Sequence, residues 1–554
     1  MKSICLNGEW KIRWSNGLRG GMPHFLWEDG VPIDADLLGT PHGISNQYDE
    51  SRWLDARVPG EVHLDLMRAG LIGDVYKDIN ALSCRWVEES LWFYRTTFCG
   101  GESAQAAFSC LRFEALEYGA IVYLNGKEIA RHSNAFYPLT VDVSGQILPG
   151  ENVLVVRLES GMYQVAEKPV SHIYTACRSV DYLLHKRMYM RKPQSSCGWD
   201  WSPRLQNIGI GGAVSLQYSD DAVVDMVSLR SNTADDLQSS QLEARIFLSA
   251  WDRCADDYRM EMTVEGQTVR TGDCTINDGV LSLAITIDHP RLWQPRGYGR
   301  QELYAAEIVL FRGETEIYRT VRETGFRHVE IDQSACIQGG NNFHIVVNGR
   351  KIFAKGANFV PLDMIPAALT HERYDAVTDL AVEANFNFLR VWGGGVYEAD
   401  DFFQMCDRKG ILTWQEFIAA CATVPYTDAE LQADIEREFV YQLRRLSAYP
   451  SLIVWCGNNE MDSMSVRRSI GRMPEDAALY HLHLPMLVRR EDPEKYYQPC
   501  SPWSFDGSDG EAETVGDQHP WSVGFRDKDH RKYRDMAVSY THLDVYKRPQ
   551  RYIE

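Results

Sequence analysis

The chain predicts a multidomain protein in which β units precede an α/β unit built on a parallel sheet. Three observations carry this. Residues 1–218 break into short alternating strands separated by turn residues, and residues 219–329 continue in the same style. From about residue 330, apolar strands alternate with amphipathic helices, the order that implies a parallel sheet. A length of 554 residues exceeds one ordinary core and suits roughly three domains.

The first unit, 1–218, reads as a sandwich or jelly roll. Its clearest hairpin is AIVYLNGKEIA, where Asn125-Gly126 supplies the two positive-φ positions that a tight hairpin turn requires. The second unit, 219–329, has the length of a small immunoglobulin-like sandwich and strands such as AVVDMVSLR and LEARIFLSA. A second Asn-Gly hairpin at Asn348-Gly349 opens the third unit, 330–536. Its candidate strands are Lys355–Phe359, Phe386–Gly393, Ile411–Phe417, Leu452–Cys456, Gln498–Ser504 and Glu513–Trp521, with helices between them. Thr427 and Glu430 form a capping-box pattern ahead of a stripe of Leu431, Ile435, Phe439, Leu443 and Leu446. Six strand–helix units are countable, whereas a closed (β/α)₈ barrel needs eight.

Composition narrows the function classes. A hydrophobic content of 44% and a charged content of 24% are those of a soluble globular protein. The net charge of −20 argues against nucleic-acid and anionic-membrane partners. Thirteen cysteines, an odd number without CxxC pairs, favour reduced and mostly buried thiols over a disulfide framework or a zinc site. The N-terminus MKSICLNGEWKIRW lacks an apolar signal core, and no run reaches the length of a membrane span, so a cytoplasmic location is expected. Fifteen tryptophans suit a sugar binder, because indole faces stack on pyranose rings, although core packing explains most single tryptophans.

The residues that can carry chemistry cluster at predicted strand ends. The run SLIVWCGNNE is a buried strand, a tight polar corner and then Glu460. In a (β/α)₈ barrel the carboxyl edge of the strands holds the chemistry, and a carboxylate fixed there can act as general acid toward a glycosidic oxygen. Asn459 can hydrogen-bond a substrate hydroxyl. Arg390 and Trp392, in NFLRVWGGGVYE, end the second strand: the arginine can hold a carboxylate ionised, and the indole can form an apolar platform for a sugar. Gly393, Gly394 and Gly395 permit close backbone approach, or simply form a turn beside a core tryptophan. Gly198-Trp199-Asp200-Trp201 places a carboxylate between two indoles, which suits vicinal hydroxyls; a loop packed between domains is the competing reading. Trp414 and Glu416 end the third strand, and Asp517, His519 and Trp521 the sixth, where each can line a pocket or pack. No GxSxG elbow, P-loop, HExxH or helix-opening GxGxxG is present, and no cofactor or metal is implied.

Together GWDW at Gly198–Trp201, KGANFVPLDM at Lys355–Met364, FLRVWGGGVYE at Phe388–Glu398 and VWCGNNE at Val454–Glu460 resemble glycoside hydrolase family 2, most closely its β-mannosidase branch. The resemblance spans roughly residues 1–536. It implies a jelly-roll sugar-binding domain, an immunoglobulin-like sandwich and a TIM barrel. It implies exo-hydrolysis of terminal β-D-mannosides, in oligosaccharides or glycoconjugates, with retention. It makes Glu460 the acid/base, Asn459 a contact to the sugar beside the reacting carbon, and Asp200 and Trp392 contacts to the terminal mannose; Trp199, Arg390, His519 and Trp521 join them as candidate substrate-binding residues. Another family 2 exo-glycosidase, such as an exo-β-glucosaminidase or β-galactosidase, and a non-catalytic sugar-binding fragment are the alternatives.

One departure matters. Retention needs a second carboxylate about 5–5.5 Å from the first, which the resemblance assigns to a Ser-Glu-Phe-Gly-like motif absent from this sequence. The string VSYTHLDVYKRPQ resembles translated sequencing-adapter read-through, so residues 537–554 read as non-native. The seventh and eighth barrel strands are then expected to be missing, leaving a truncated form without its nucleophile and with exposed strand edges.

Overall fold

The computed structural model describes residues 1–14, 27–28, 31–32, 53–162, 164–170, 186–336, 339–462, 475–507 and 514–519. Two antiparallel sheets form the first sandwich. One runs, in spatial order, through Lys127–His132, Ala120–Leu124, Glu151–Leu158, Trp92–Cys99, Gly8–Trp14 and Leu54–Val58; the other through Lys2–Cys5, Val214–Ser219, Phe108–Phe113 and Leu139–Asp142. Trp10, Tyr94, Phe113, Val122, Leu154 and Leu216 meet in the core between them. The expected hairpin turn is present, with φ of 52° at Asn125 and 80° at Gly126.

A second sandwich follows. Three strands, Ala222–Thr233, Ser239–Trp251 and Val280–Asp288, face four, Gln267–Arg270, Tyr258–Val264, Tyr304–Arg312 and Thr315–Thr324. Alternate residues such as Tyr258, Met260, Met262 and Val264 point inward, as the period of a half-buried strand requires.

The third region is built on five parallel strands in sequential order: β1 (Gly356–Phe359), β2 (Phe388–Val391), β3 (Leu412–Glu416), β4 (Leu452–Cys456) and β5 (Tyr496–Gln498). Helices α1 (His371–Glu383), α2 (Asp400–Lys409), α3 (Ala429–Leu446) and α4 (Leu484–Glu491) lie between consecutive strands. The central strands β2, β3 and β4 are buried along their whole length, as a parallel sheet covered on both faces requires, whereas β1 is exposed except at Phe359 and β5 is half-buried. Phe388, Leu412, Trp414, Val454 and Cys456 pack against Phe343, Ile345 and Ile352 of the Asn348-Gly349 hairpin region. Leu389, Val391, Leu452 and Trp455 pack with the helices. The predicted stripe of α3 is buried at Leu431, Ile435, Phe439, Leu443 and Leu446. Fully burying each such side chain contributes about 1.5–3 kcal/mol.

Three local expectations are corrected. The cap of α3 is Asp428, not Thr427: its carboxylate accepts from the Leu431 N–H and places negative charge at the positive end of the helix. The fifth strand runs Tyr496–Gln498 rather than Gln498–Ser504, since Pro499 and Pro502 each remove a backbone donor. Residues 514–519 of the expected sixth strand form no strand, and Glu513 and Trp521 lie outside the described residues. Asp517 and His519 bond to side chains of the β4 and β5 ends instead of a ladder. The tail 537–554 also lies outside them.

Candidate active site

The corner after β4 is built to hold Glu460 still. At Gly457 a Cβ would meet the Pro499 carbonyl oxygen at 2.2 Å, so only glycine passes there. Asn458 then brackets the turn, donating to Pro499 O and accepting from Met461 N–H, both at 3.0 Å. Asn459 prolongs the sheet, bridging in parallel to Ala420 on one side and Ser501 on the other. The Glu460 N–H donates to Ser501 O at 2.8 Å, with Glu460 in the left-handed region at φ 68°. A non-glycine residue there costs about 1–3 kcal/mol and persists where the surroundings over-determine it. Its neighbour Cys421 is also left-handed, at φ 52°.

Arg390, on β2, is the hub beside this corner. Its register partner on β1 is Asn358, whose Oδ1 accepts from Nη1 at 3.0 Å. Nε donates to Glu416 Oε1 at 2.9 Å, and Nη2 donates to the same oxygen and to Asn459 Oδ1 at 2.8 Å. Glu416 Oε2 accepts from the Gly393 N–H at 2.7 Å. The pair is sealed, with 3% of the arginine side chain and none of the glutamate exposed. Burial pushes the Glu416 carboxyl up, and Arg390, the Gly393 N–H and His519 offset this only in part. Arg390 thus neutralises Glu416 and orients Asn459.

Among the described residues, two polar side chains contact the Glu460 carboxylate. Oε1 lies 2.6 Å from His519 Nδ1, and Oε2 accepts a long contact of 3.5 Å from the Cys421 thiol. Cys421 Sγ in turn accepts from Asn459 Nδ2 at 3.2 Å. Burial pushes the Glu460 carboxyl up, but the His519 bond and charge, Cys421 and Arg390 outweigh it and hold the group below its ordinary value. About a quarter of the side chain stays exposed, at 23%. A carboxylate so placed can exchange a proton with a ligand at the sheet edge.

The first sandwich reaches the same edge. Ser195 N–H donates to Gly394 O at 2.9 Å. Trp199 and Trp201 stand edge-on to Trp392, with centroids 4.8 and 5.8 Å away. Arg187 lies over Trp199, its Cζ 5.3 Å from the ring centroid, and its Nη2 donates to Ala420 O at 2.9 Å. Asp200 is exposed at the tip of this loop and makes no hydrogen bond or ion pair among the described residues. Below it, Arg191 and Glu438 of α3 form an ion pair with side-chain exposures of 1% and 0%. Arg191 also donates to Ile418 O, while Asn134 and Tyr397 donate to Glu438. The segment is therefore both an interdomain packing element and a wall of the site.

Of the sequence candidates, Glu460, Asn459 and Arg390 come together directly, and Trp199 and Trp392 form an aromatic wall at the same edge. His519 faces Glu460. Trp414 is fully buried against Phe343 and does not line the site. Trp521 lies outside the described residues. Sequence reasoning passed over Asn358, Cys421, Ser501 and the Arg191–Glu438 pair. Ser501 sat inside the expected fifth strand, which was its one signal; no motif marks Cys421. A separate cavity of about 480 Å³ lies between the first sandwich and the helices, lined by Glu117, Phe136, Tyr374, Glu398, Tyr441 and Arg445 among others, and it does not include Glu460.

Comparison with known proteins agrees with this architecture. Residues 43–212 match the profile described as glycosyl hydrolase 2 galactose-binding domain-like, and residues 214–327 match that of glycosyl hydrolases family 2. The chain is 32% identical over 510 residues to "Beta-mannosidase B" of Aspergillus oryzae, covering 88% of this chain and 59% of that protein. The protein of the same name from Aspergillus fumigatus is 31% identical over 495 residues, with 86% and 57% covered. The chain thus spans under two thirds of these relatives. Among solved structures, the β-D-mannosidase of Dictyoglomus thermophilum superposes with a TM-score of 0.82 at 30% identity, covering 97% of this chain and 62% of that one. The exo-chitosanase of Amycolatopsis orientalis superposes at 0.65 and 17% identity, covering 92% and 54%, a likeness of fold alone. On these matches, this chain belongs to glycoside hydrolase family 2.

Proposed function

We propose that the five parallel strands begin a (β/α)₈ TIM barrel and that the chain carries the acid/base part of a retaining exo-β-mannosidase. The observation that carries this is Glu460 at the end of β4, flanked by His519 and Cys421 and by Asn459 on Arg390, in a chain similar to β-mannosidases. In this reading the units 1–218 and 219–329 are the jelly roll and the immunoglobulin-like sandwich. Trp392 and Trp199 wall the terminal β-D-mannose, Asp200 accepts its hydroxyl hydrogens and blocks chain extension, and Asn459 bonds beside the reacting carbon. Glu460 protonates the leaving oxygen and later deprotonates water. Its carboxyl is ionised at rest; a seated sugar adds burial, which raises it toward the acid form.

Double displacement also needs a nucleophile, and this reading assigns none within the chain. The described glutamates after Glu460 do not suit that role. Glu491 is held by Arg245, Arg444 and Arg490. Glu475 and Glu494 lie in turn-like contexts. A sugar-binding role without turnover is therefore the second reading.

A panel of dinitrophenyl β-glycosides, with and without azide, tests both. Azide can attack the anomeric carbon and expel dinitrophenolate, giving the α-configured glycosyl azide. Preferential azide-dependent release from the β-mannoside supports the proposal. Preference for the glucosaminide or galactoside overturns the substrate. Mannose binding by calorimetry with no release from any donor favours the second reading.

A further inference from the structure

Behind the Glu460 carboxylate three side chains lie in line. His519 Nδ1 is 2.6 Å from Glu460 Oε1, and its Nε2 is 2.9 Å from Ser501 Oγ. Ser501 Oγ is 2.6 Å from Asp517 Oδ2. Asp517 Oδ1 accepts from Gln498 Nε2 at 2.6 Å and from the Trp503 N–H at 3.0 Å. Ser501, Asp517 and His519 are 0%, 0% and 7% exposed. The imidazole orientation is determined by its contacts, since a ring turned over would set carbons against both oxygens.

Burial pushes the Asp517 carboxyl up, while His519, Ser501 and the Trp503 N–H oppose the rise. Its Oδ1 takes two N–H donors, and with the group ionised, counting protons along the line leaves one arrangement. Ser501 must then spend its single O–H on Asp517. Its remaining lone pairs can only accept, so His519 Nε2 must carry a proton. What remains is the short contact between His519 Nδ1 and Glu460 Oε1. Two bare lone pairs at that distance repel, so this contact holds one proton.

We propose that Ser501 and Asp517 are positioning residues that hold His519 in its Nε2–H form, so that Nδ1 shares one proton with Glu460. The use of this relay rests on the acid/base reading of Glu460; the tautomer itself does not. An imidazolium donating Nδ1–H to Oε1 stabilises the carboxylate that remains once the acid has given up its proton. A neutral ring with bare Nδ1 accepts the carboxyl proton instead and withholds it from a leaving oxygen. The state of one ring nitrogen therefore decides whether the acid proton is presented. Among the described residues, the other charged or titratable groups around the line are Glu416 at the end of β3, Arg390 on β2 and the Cys421 thiol, which act on Glu460, His519 or Asp517, together with Cys456, Cys500 and Tyr496, on which Asp517 acts.

Nitrogen-15 NMR of the imidazoles in the whole chain tests this, with His519 assigned by its loss in H519Q. The expected result near pH 7 is a protonated Nε2 and a hydrogen-bonded Nδ1. S501A should remove the constraint and shift the ring toward the Nδ1–H form with bare Nε2, while S501T, which keeps the hydroxyl, should retain the parent signature. A parent ring already in the Nδ1–H form with bare Nε2 overturns the proposal by itself, as does an S501A spectrum unchanged at His519. The readout needs no turnover. An Nε2–H ring in a chain that neither cleaves nor binds mannosides leaves the relay standing and sinks the glycosidase reading. The opposite tautomer in a chain that cleaves them does the reverse.

Discussion

The indole of Trp199 stands edge-on to that of Trp392, with centroids 4.8 Å apart and planes at 68°. One ring belongs to a loop of the first sandwich and the other follows strand β2 of the parallel sheet. The wall of the site is therefore made by two units that sequence separates by nearly two hundred positions.

That pairing should be measurable. A double-mutant cycle of W199A and W392A is expected to show a coupling of about 0.5–1.5 kcal/mol in denaturant unfolding. W392A alone, removing a side chain only 7% exposed, should cost about 3–5 kcal/mol. Strict additivity would mean that the contact contributes nothing.

The Arg390–Glu416 pair predicts an asymmetry. R390A leaves a buried carboxylate without its cation and should destabilise by about 3–5 kcal/mol. Adding E416Q should restore part of that loss, because the stranded charge is then gone. If the double variant is as unstable as the sum of the singles, charge burial is not the cause.

The Arg191–Glu438 pair ties α3 to the first sandwich. E438Q weakens its charge-assisted bonds while preserving shape. A loss of about 2–3 kcal/mol is expected, along with splitting of the thermal transition as the sandwich uncouples from the parallel-sheet region. Calorimetry of parent and variant decides this: one unchanged transition would show that the pair does not couple the units.

Stability should fall as pH rises through neutrality. Burial pushes Asp407, Glu398, Glu117 and Asp476 up to about 7. A carboxyl raised in the folded state holds its proton there while the unfolded chain has released it. Its contribution is full below the unfolded value near 4 and lost as pH climbs through about 7. D407N keeps the shape and an acceptor for the Ser451 N–H. Relative to the parent it should gain on the order of 1–3 kcal/mol between pH 5 and pH 8. Melting curves at the two values check this, and a pH-independent difference would remove Asp407 from the account.

Much of the local structure is legible along the chain. The Asn125-Gly126 and Asn348-Gly349 turns, the β4 run Leu452–Cys456 and the buried stripe of α3 all follow from φ preference and apolar period, which act over a few residues. Pro499 and Pro502 were visible too, and they cut short the strand expected there.

By itself the sequence determined the two β units, the order of the first four parallel strands with helices between them, and that a glutamate stands at the end of a buried strand. Only the tertiary structure decided which side chains meet there. His519 reaches Glu460 from 59 positions away, and Arg191 reaches Glu438 from 247. The physical reason is range. Backbone propensity and burial period act between near neighbours, whereas a proton shared between distant side chains exists only after sheets and loops have closed around it and excluded the water that would otherwise take its place.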